Sequence, residues 1–150
     1  MKLSRKAEYA MRALLAMART SDTSTFSIQD IATRENIPLK FLEQILLMLK
    51  NGGLLRSKRG VGGGYQFQKA PQRISLGEIV QLIDGPFEPI HCSVMIQHPG
   101  DKCECGITGG CSLGQVFMGL RNQVNDWLAN TTLHDVLERE KVRQPVSFEI

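Results

Sequence analysis

The sequence predicts a mainly helical fold with one small β-hairpin, on three observations. Apolar residues recur at steps of three and four over most of the chain. Two short segments that read as strands, residues 54–57 and 65–68, bracket a basic, Gly-rich tip. Residues 86–111 lose periodicity altogether and hold all four cysteines.

Leu3, Ala7, Ala10, Met11, Leu14, Leu15 and Ala18 form one face of a first helix over residues 4–19. Residues 21–25 are a polar connection. Ser27, with Asp30 three residues on, opens a second, short helix through Ile28, Ile31 and Ala32. Glu35-Asn36-Ile37 makes a turn, and Pro38 suits the first position of a third helix, where its missing N–H costs nothing. Phe41, Leu42, Ile45, Leu46 and Leu49 supply that helix's apolar face, and Asn51-Gly52-Gly53 ends it. Two helices joined by a short turn form a helix-turn-helix pattern. The hairpin that follows, with Lys58-Arg59-Gly60-Val61-Gly62-Gly63-Gly64 at its tip, reads as a wing.

Ser75 and Glu78 open another capped helix through Ile79, Val80, Leu82 and Ile83, closed by Gly85-Pro86. Periodicity returns at Ser112. Leu113, Val116, Phe117, Leu120, Val124, Trp127 and Leu128 form a long stripe, which a helix–helix contact between two copies would cover. Residues 131–137 read as a last short helix. The fold class is therefore a winged helix-turn-helix with a long dimerisation helix. Its parts are a DNA-binding unit over residues 1–85, a cysteine-rich loop over 86–111, the dimerisation and terminal helices over 112–139, and a loose polar tail over 140–150.

With 150 residues, 42% hydrophobic and 22% charged, the chain has enough apolar material for one compact core and an appended arm. No segment reaches the roughly 20 apolar residues of a membrane span. Met1-Lys2-Leu3-Ser4-Arg5 leads into an amphipathic pattern rather than a signal-peptide core, so a cytoplasmic location is expected. The net charge of +3 conceals an asymmetry: residues 1–73 hold 13 Lys and Arg against 5 Asp and Glu, whereas residues 74–150 hold 5 against 10. A basic half carrying a winged helix points to a polyanion, double-stranded DNA. No phosphate-binding loop between strand and helix and no nucleophile–base set is legible, so an enzyme is not expected.

Lys40, Glu43, Gln44 and Lys50 lie off the apolar stripe of the third helix and suit base edges: Gln for adenine, Lys for guanine or phosphate, Glu for the cytosine amino group. At the wing, Arg59 suits a minor groove, and the glycines let backbone approach phosphates. Arg5, Lys6, Arg56 and Lys58 are candidates for phosphate contacts, which add affinity without sequence information.

Cys92, Cys103, Cys105 and Cys111 crowd into one span with Gly, Pro, Asp and His. In a cytoplasmic protein this points to a thiolate-bound metal, either zinc or an iron–sulfur cluster, rather than to disulfides. Cys103 and Cys105 stand closer than the pairs of ordinary zinc sites, and Cys92 has no near cysteine partner.

Met1-Lys2-Leu3-Ser4, Phe41-Leu42-Glu43-Gln44-Ile45-Leu46, Arg59-Gly60-Val61-Gly62-Gly63-Gly64-Tyr65, Ile83-Asp84-Gly85-Pro86 and Thr131-Thr132-Leu133 resemble the Rrf-two family of bacterial winged-helix regulators. The likeness covers roughly residues 1–137. It implies a homodimer on palindromic operators, acting for instance as a repressor, with base reading by Glu43, Gln44 and Arg59. It tips the cysteine loop toward an iron–sulfur cluster that senses redox, iron or nitric oxide state. The type favoured is 2Fe–2S over 4Fe–4S, with zinc as the alternative. Cys92, Cys105 and Cys111 match the family's three loop cysteines, although the gap after Cys92 is long. A histidine that some members carry shortly after the last cysteine is absent, and Gly114 stands there. The fourth ligand is left open between a further cysteine (Cys103 or Cys105) and Glu8 of the other subunit, with His91 and His98 weaker. The alternative is a cluster-free regulator acting through thiol or zinc chemistry or through a partner protein.

Overall fold

The computed structural model describes residues 3–20, 25–89 and 111–143. Helix α1 spans Arg5–Ala18, α2 Ile28–Glu35 and α3 Leu39–Asn51; a hairpin follows, β1 over Leu55–Lys58 and β2 over Gly64–Phe67. A 3-10 turn at Pro71–Arg73 leads into α4, Leu76–Asp84; α5 spans Ser112–Ala129 and α6 Leu133–Arg143.

The helix starts follow from their caps. Ser4, Ser27 and Ser75 have extended backbones, and each side chain accepts the amide three residues on, at Ala7, Asp30 and Glu78. Thr132 and Asp135 cap α6 reciprocally: the Thr132 amide donates to Asp135 at 2.8 Å and the Asp135 amide to the Thr132 hydroxyl at 3.2 Å. The Thr132 hydroxyl, donating to Asp135 at 2.7 Å, and after it the Thr132 amide hold the Asp135 carboxyl below its ordinary range. Pro38 is the cap residue rather than the first residue of α3; its carbonyl accepts the Leu42 amide at 3.0 Å. Between α2 and α3, Asn36 takes the left-handed conformation, at φ 50° and ψ 51°, and turns the chain within three residues.

Alanines let the helices approach closely. Ala7, Ala10, Ala13 and Ala16 of α1 are buried with Leu14 and Met17, and α1 packs on α2, α3, α4 and α6. Leu42, Ile45, Leu46 and Leu49 of α3 join Leu54, Leu55, Ile74, Ile79 and Leu133 in the same core, all at 0% exposure. Each such side chain contributes about 1.5–3 kcal/mol of burial. The hairpin is antiparallel, with Leu55 opposite Phe67 and Lys58 opposite Gly64. Phe26 adds an antiparallel bridge to β2, exchanging two 2.9 Å backbone bonds with Tyr65. Gly64 is required there, because a Cβ on it would collide with the Phe26 carbonyl.

Two sequence expectations change. Phe41 does not enter the core: it is 42% exposed and meets Tyr9 edge to face, with ring centroids 6.3 Å apart. The last helix is not short, and residues 140–143 are not loose tail; α6 runs to Arg143. The reason is a fork from the Arg19 guanidinium to both Glu140 oxygens, at 3.0 and 2.8 Å, which docks the end of α6 on the end of α1. Residues 144–150 of the expected tail lie outside the described residues.

Candidate nucleic-acid interface

Helix α3 has two faces set by its sequence. Leu42, Ile45, Leu46 and Leu49 point inward; Lys40, Glu43, Gln44, Leu47 and Lys50 are exposed. No hydrogen bond or ion pair engages Lys40, Glu43, Gln44 or Lys50 among the described residues, so their donors and acceptors face solvent unspent. The first turn of α3 is held from α1: Phe41 packs on Tyr9, and the Arg12 guanidinium lies 5.6 Å over the Tyr9 ring. Arg12 also donates to the Glu35 carbonyl and sits 3.5 Å from the Glu35 carboxylate. A cation at the C-terminus of α2 satisfies an orphan carbonyl and the helix dipole, so Arg12 braces the turn between α2 and α3.

The wing presents Arg56, Lys58 and Arg59, all exposed. Its tip is closed by Gly63 N–H donating to the Gly60 carbonyl at 2.9 Å. Gly60 and Gly62 take φ of 97° and 72°, which side chains resist, and Val61 between them is fully exposed. Gln66 donates to Thr25 at 2.6 Å and stiffens the return strand. Arg5 is exposed and Lys6 half-buried at the start of α1; Arg5 lies 3.5 Å from Glu8.

Of the sequence-predicted metal ligands, Cys111 and Glu8 are described. Cys111 is the half-buried residue at the N-terminus of α5 and its side chain makes no capping bond, so its sulfur is not committed to the helix. Glu8 is 48% exposed between Arg5 and Arg12, at 3.5 and 4.0 Å. Cys92, Cys103, Cys105, His91 and His98 lie outside the described residues. Among the described residues no cluster of three or more metal-ligating side chains occurs.

Two features escaped the sequence reading. Leu47 is 49% exposed on the polar face of α3; projecting the helix at 100° per residue would have found it. Asp84, at the end of α4, accepts from both the amide and the hydroxyl of Ser4, tying the start of the 86–111 segment to the cap of α1. That pairing is 80 residues apart and left no local signal.

A helix-turn-helix with an open polar recognition helix and a basic hairpin defines a winged-helix DNA-binding protein. Residues 3–139 match the Rrf-two family model, described as an iron-dependent transcriptional regulator, and the chain belongs to that family. An rrf2-like HTH-type regulator of Rhodobacter capsulatus is similar, at 37% identity over 90% of this chain and 91% of that protein. IscR of Vibrio vulnificus is 33% identical over 95% of this chain and 80% of that protein. Among solved structures, CymR of B. subtilis, titled the global cysteine regulator, aligns with a TM-score of 0.75 at 27% identity, covering 93% of this chain and 98% of that one. IscR of T. potens shares the fold at a TM-score of 0.76 and 23% identity, over 97% of this chain and 92% of that one. The Rhodobacter and Vibrio relatives are named as transcriptional regulators, not enzymes. Among the described residues no helix is long and apolar enough to cross a membrane.

Proposed function

We propose that this DNA-binding transcription regulator works as a homodimer on a palindromic operator and reports the state of an iron–sulfur cluster bound by its cysteine loop. The observation that carries the DNA half is the unpaired polar face of α3 beside a basic wing. Lys40, Glu43 and Gln44 read base edges in the major groove, and Arg59 enters the minor groove. Arg5, Lys6, Arg56 and Lys58 hold phosphates.

For the cluster, the donor chemistry fits: four cysteines in one segment, the last with its sulfur uncommitted at the head of α5. Cys92, Cys105 and Cys111 would hold it, with Cys103 or Glu8 completing the set. A cluster supplies a group whose oxidation or loss changes how many bonds tie the loop. The chain's own residues carry the consequence. Cys111 immediately precedes α5, and Asp84 links the other end of the segment to the cap of α1. Freeing the loop re-aims α5 against α4 and so alters the spacing of the two heads. Such coupling requires two states that the cluster stabilises unequally.

The test is anaerobic purification with visible spectra and iron and sulfide counts, then Cys111→Ala. Colour that the variant loses, together with redox-dependent DNA binding, supports the reading. Colourless protein that resists reconstitution removes the cluster and leaves the winged helix. A second reading then applies, thiol or zinc switching or action through a partner protein, and the likeness to CymR favours it.

A further inference from the structure

Resting on the reading that α3 enters the major groove, we propose that Leu47 determines specificity by packing against the 5-methyl group of a thymine. An isolated exposed leucine ordinarily needs no explanation; the placement of this one gives it meaning. Leu47 is 49% exposed, whereas Leu42, Ile45, Leu46 and Leu49 of the same helix are at 0%. At about 100° per residue, Leu47 projects nearly opposite the mean direction of those four. It follows Glu43 and Gln44 by one turn and Lys40 by two, with Asn51 one turn further on. It therefore stands in the middle of the reading face.

Leu39 and Phe41 are the other exposed large apolar residues of α3, at 39% and 42%. Leu39 is the first residue of the helix, and Phe41 is committed to Tyr9. Leu47 lies in the body of the helix and is about half exposed. Its side chain can neither donate to nor accept from a base edge. Held against a base edge bearing only donors and acceptors, it would strip them of water and return nothing. The apolar feature that base pairs display in the major groove is the thymine methyl. Leu47 thus favours a T·A pair beside those read by Glu43 and Gln44 and disfavours G·C there.

The experiment uses the full chain, purified without oxygen, and a short duplex that the wild type enriches from a random-sequence pool. Each thymine is replaced in turn by uracil, which removes only the methyl group. The wild type is expected to lose about fourfold in affinity at one thymine per half-site, the worth of one buried methyl-sized group. Leu47→Ala should lose a comparable factor on the thymine duplex and be indifferent to uracil at that position. It should keep its sensitivity to the base pairs assigned to Glu43 and Gln44. Leu47→Gln should show the same indifference, and matching circular dichroism excludes misfolding. The proposal is overturned if Leu47→Ala binds like wild type, or if it still responds to every methyl the wild type reads. If the wild type enriches no sequence, the DNA-reading function itself fails and Leu47 with it.

Discussion

Gln44 and Lys58 are both exposed, yet they are expected to fail differently. A glutamine on the reading face acts through two bonds to one base, so Gln44→Ala should cost about 1–3 kcal/mol on the preferred duplex. It should relax discrimination at one base pair per half-site and leave the salt dependence intact. Lys58 acts through charge. Lys58→Ala should weaken binding to every sequence alike and flatten the slope of log affinity against log salt by about one unit per released phosphate contact. Titrations of both variants on matched and scrambled duplexes at several salt concentrations check this. A uniform loss for Gln44→Ala would move α3 off the bases. Gln44 was legible in the sequence because it falls off the apolar stripe of α3, and Lys58 because it opens a basic, Gly-rich tip. Whether their polar groups were spent on neighbours was not, since periodicity carries no information about partners.

Elements divide the same way into local and distant causes. The starts of α2 and α4 could be read directly, because a cap and the amide it satisfies lie three residues apart, and that of α1 from its apolar periodicity. Ser75→Ala should therefore cost about 1 kcal/mol, read as a lower midpoint in urea. The end of α6 could not be read, because it rests on Arg19 and Glu140, 121 residues apart. Nor could the departure of Phe41 from the core, which depends on Tyr9 standing beside it. The cysteines were legible as a candidate donor set, but their grouping depends on how a segment without periodicity folds. The α6 contact carries a pH signature. The hydrogen bond from Arg19, reinforced by its charge, holds the Glu140 carboxyl below the ordinary glutamate range. A lowered folded-state pKa means that the unfolded chain takes up the proton first. The stabilisation is whole above the unfolded value, about 4.3, and disappears as pH falls through the lower folded value. With side chains 45% and 40% exposed, solvent screening keeps it to about 1 kcal/mol or less. Glu140→Gln should lower stability by that amount at neutral pH and match wild type in acid. Thermal melts across pH that show a constant gap would exclude this ion pair as the cause.

At the scale of the whole molecule, α5 is the element that one copy leaves unfinished. It packs mainly on α4, near Gly77, where a Cβ would stand 3.0 Å from the Ala129 backbone. Part of its apolar stripe faces elsewhere: Leu113, Val116 and Trp127 are 59%, 70% and 53% exposed, while Phe117, Leu120, Val124 and Leu128 are half-buried. Covering such side chains yields about 1.5–3 kcal/mol each, enough together to offset the entropy of joining two chains. A carboxylate within that contact would lose its water, a cost that apolar neighbours do not offset. Val116→Glu should therefore separate the copies, and sedimentation equilibrium should give the 16.7 kDa of a single chain. Far-UV circular dichroism should stay unchanged, because Val116 contributes nothing to the core of one chain. Asn122→Glu, on the opposite side of α5, serves as the charge-matched control and should remain dimeric. Affinity for the palindromic duplex should collapse in Val116→Glu to that of an isolated half-site, because tethering converts the second head's binding into an intramolecular step. If Val116→Glu sediments and binds like wild type, α5 is not the joint between the heads. A change in the 86–111 segment would then have no route through it to the DNA.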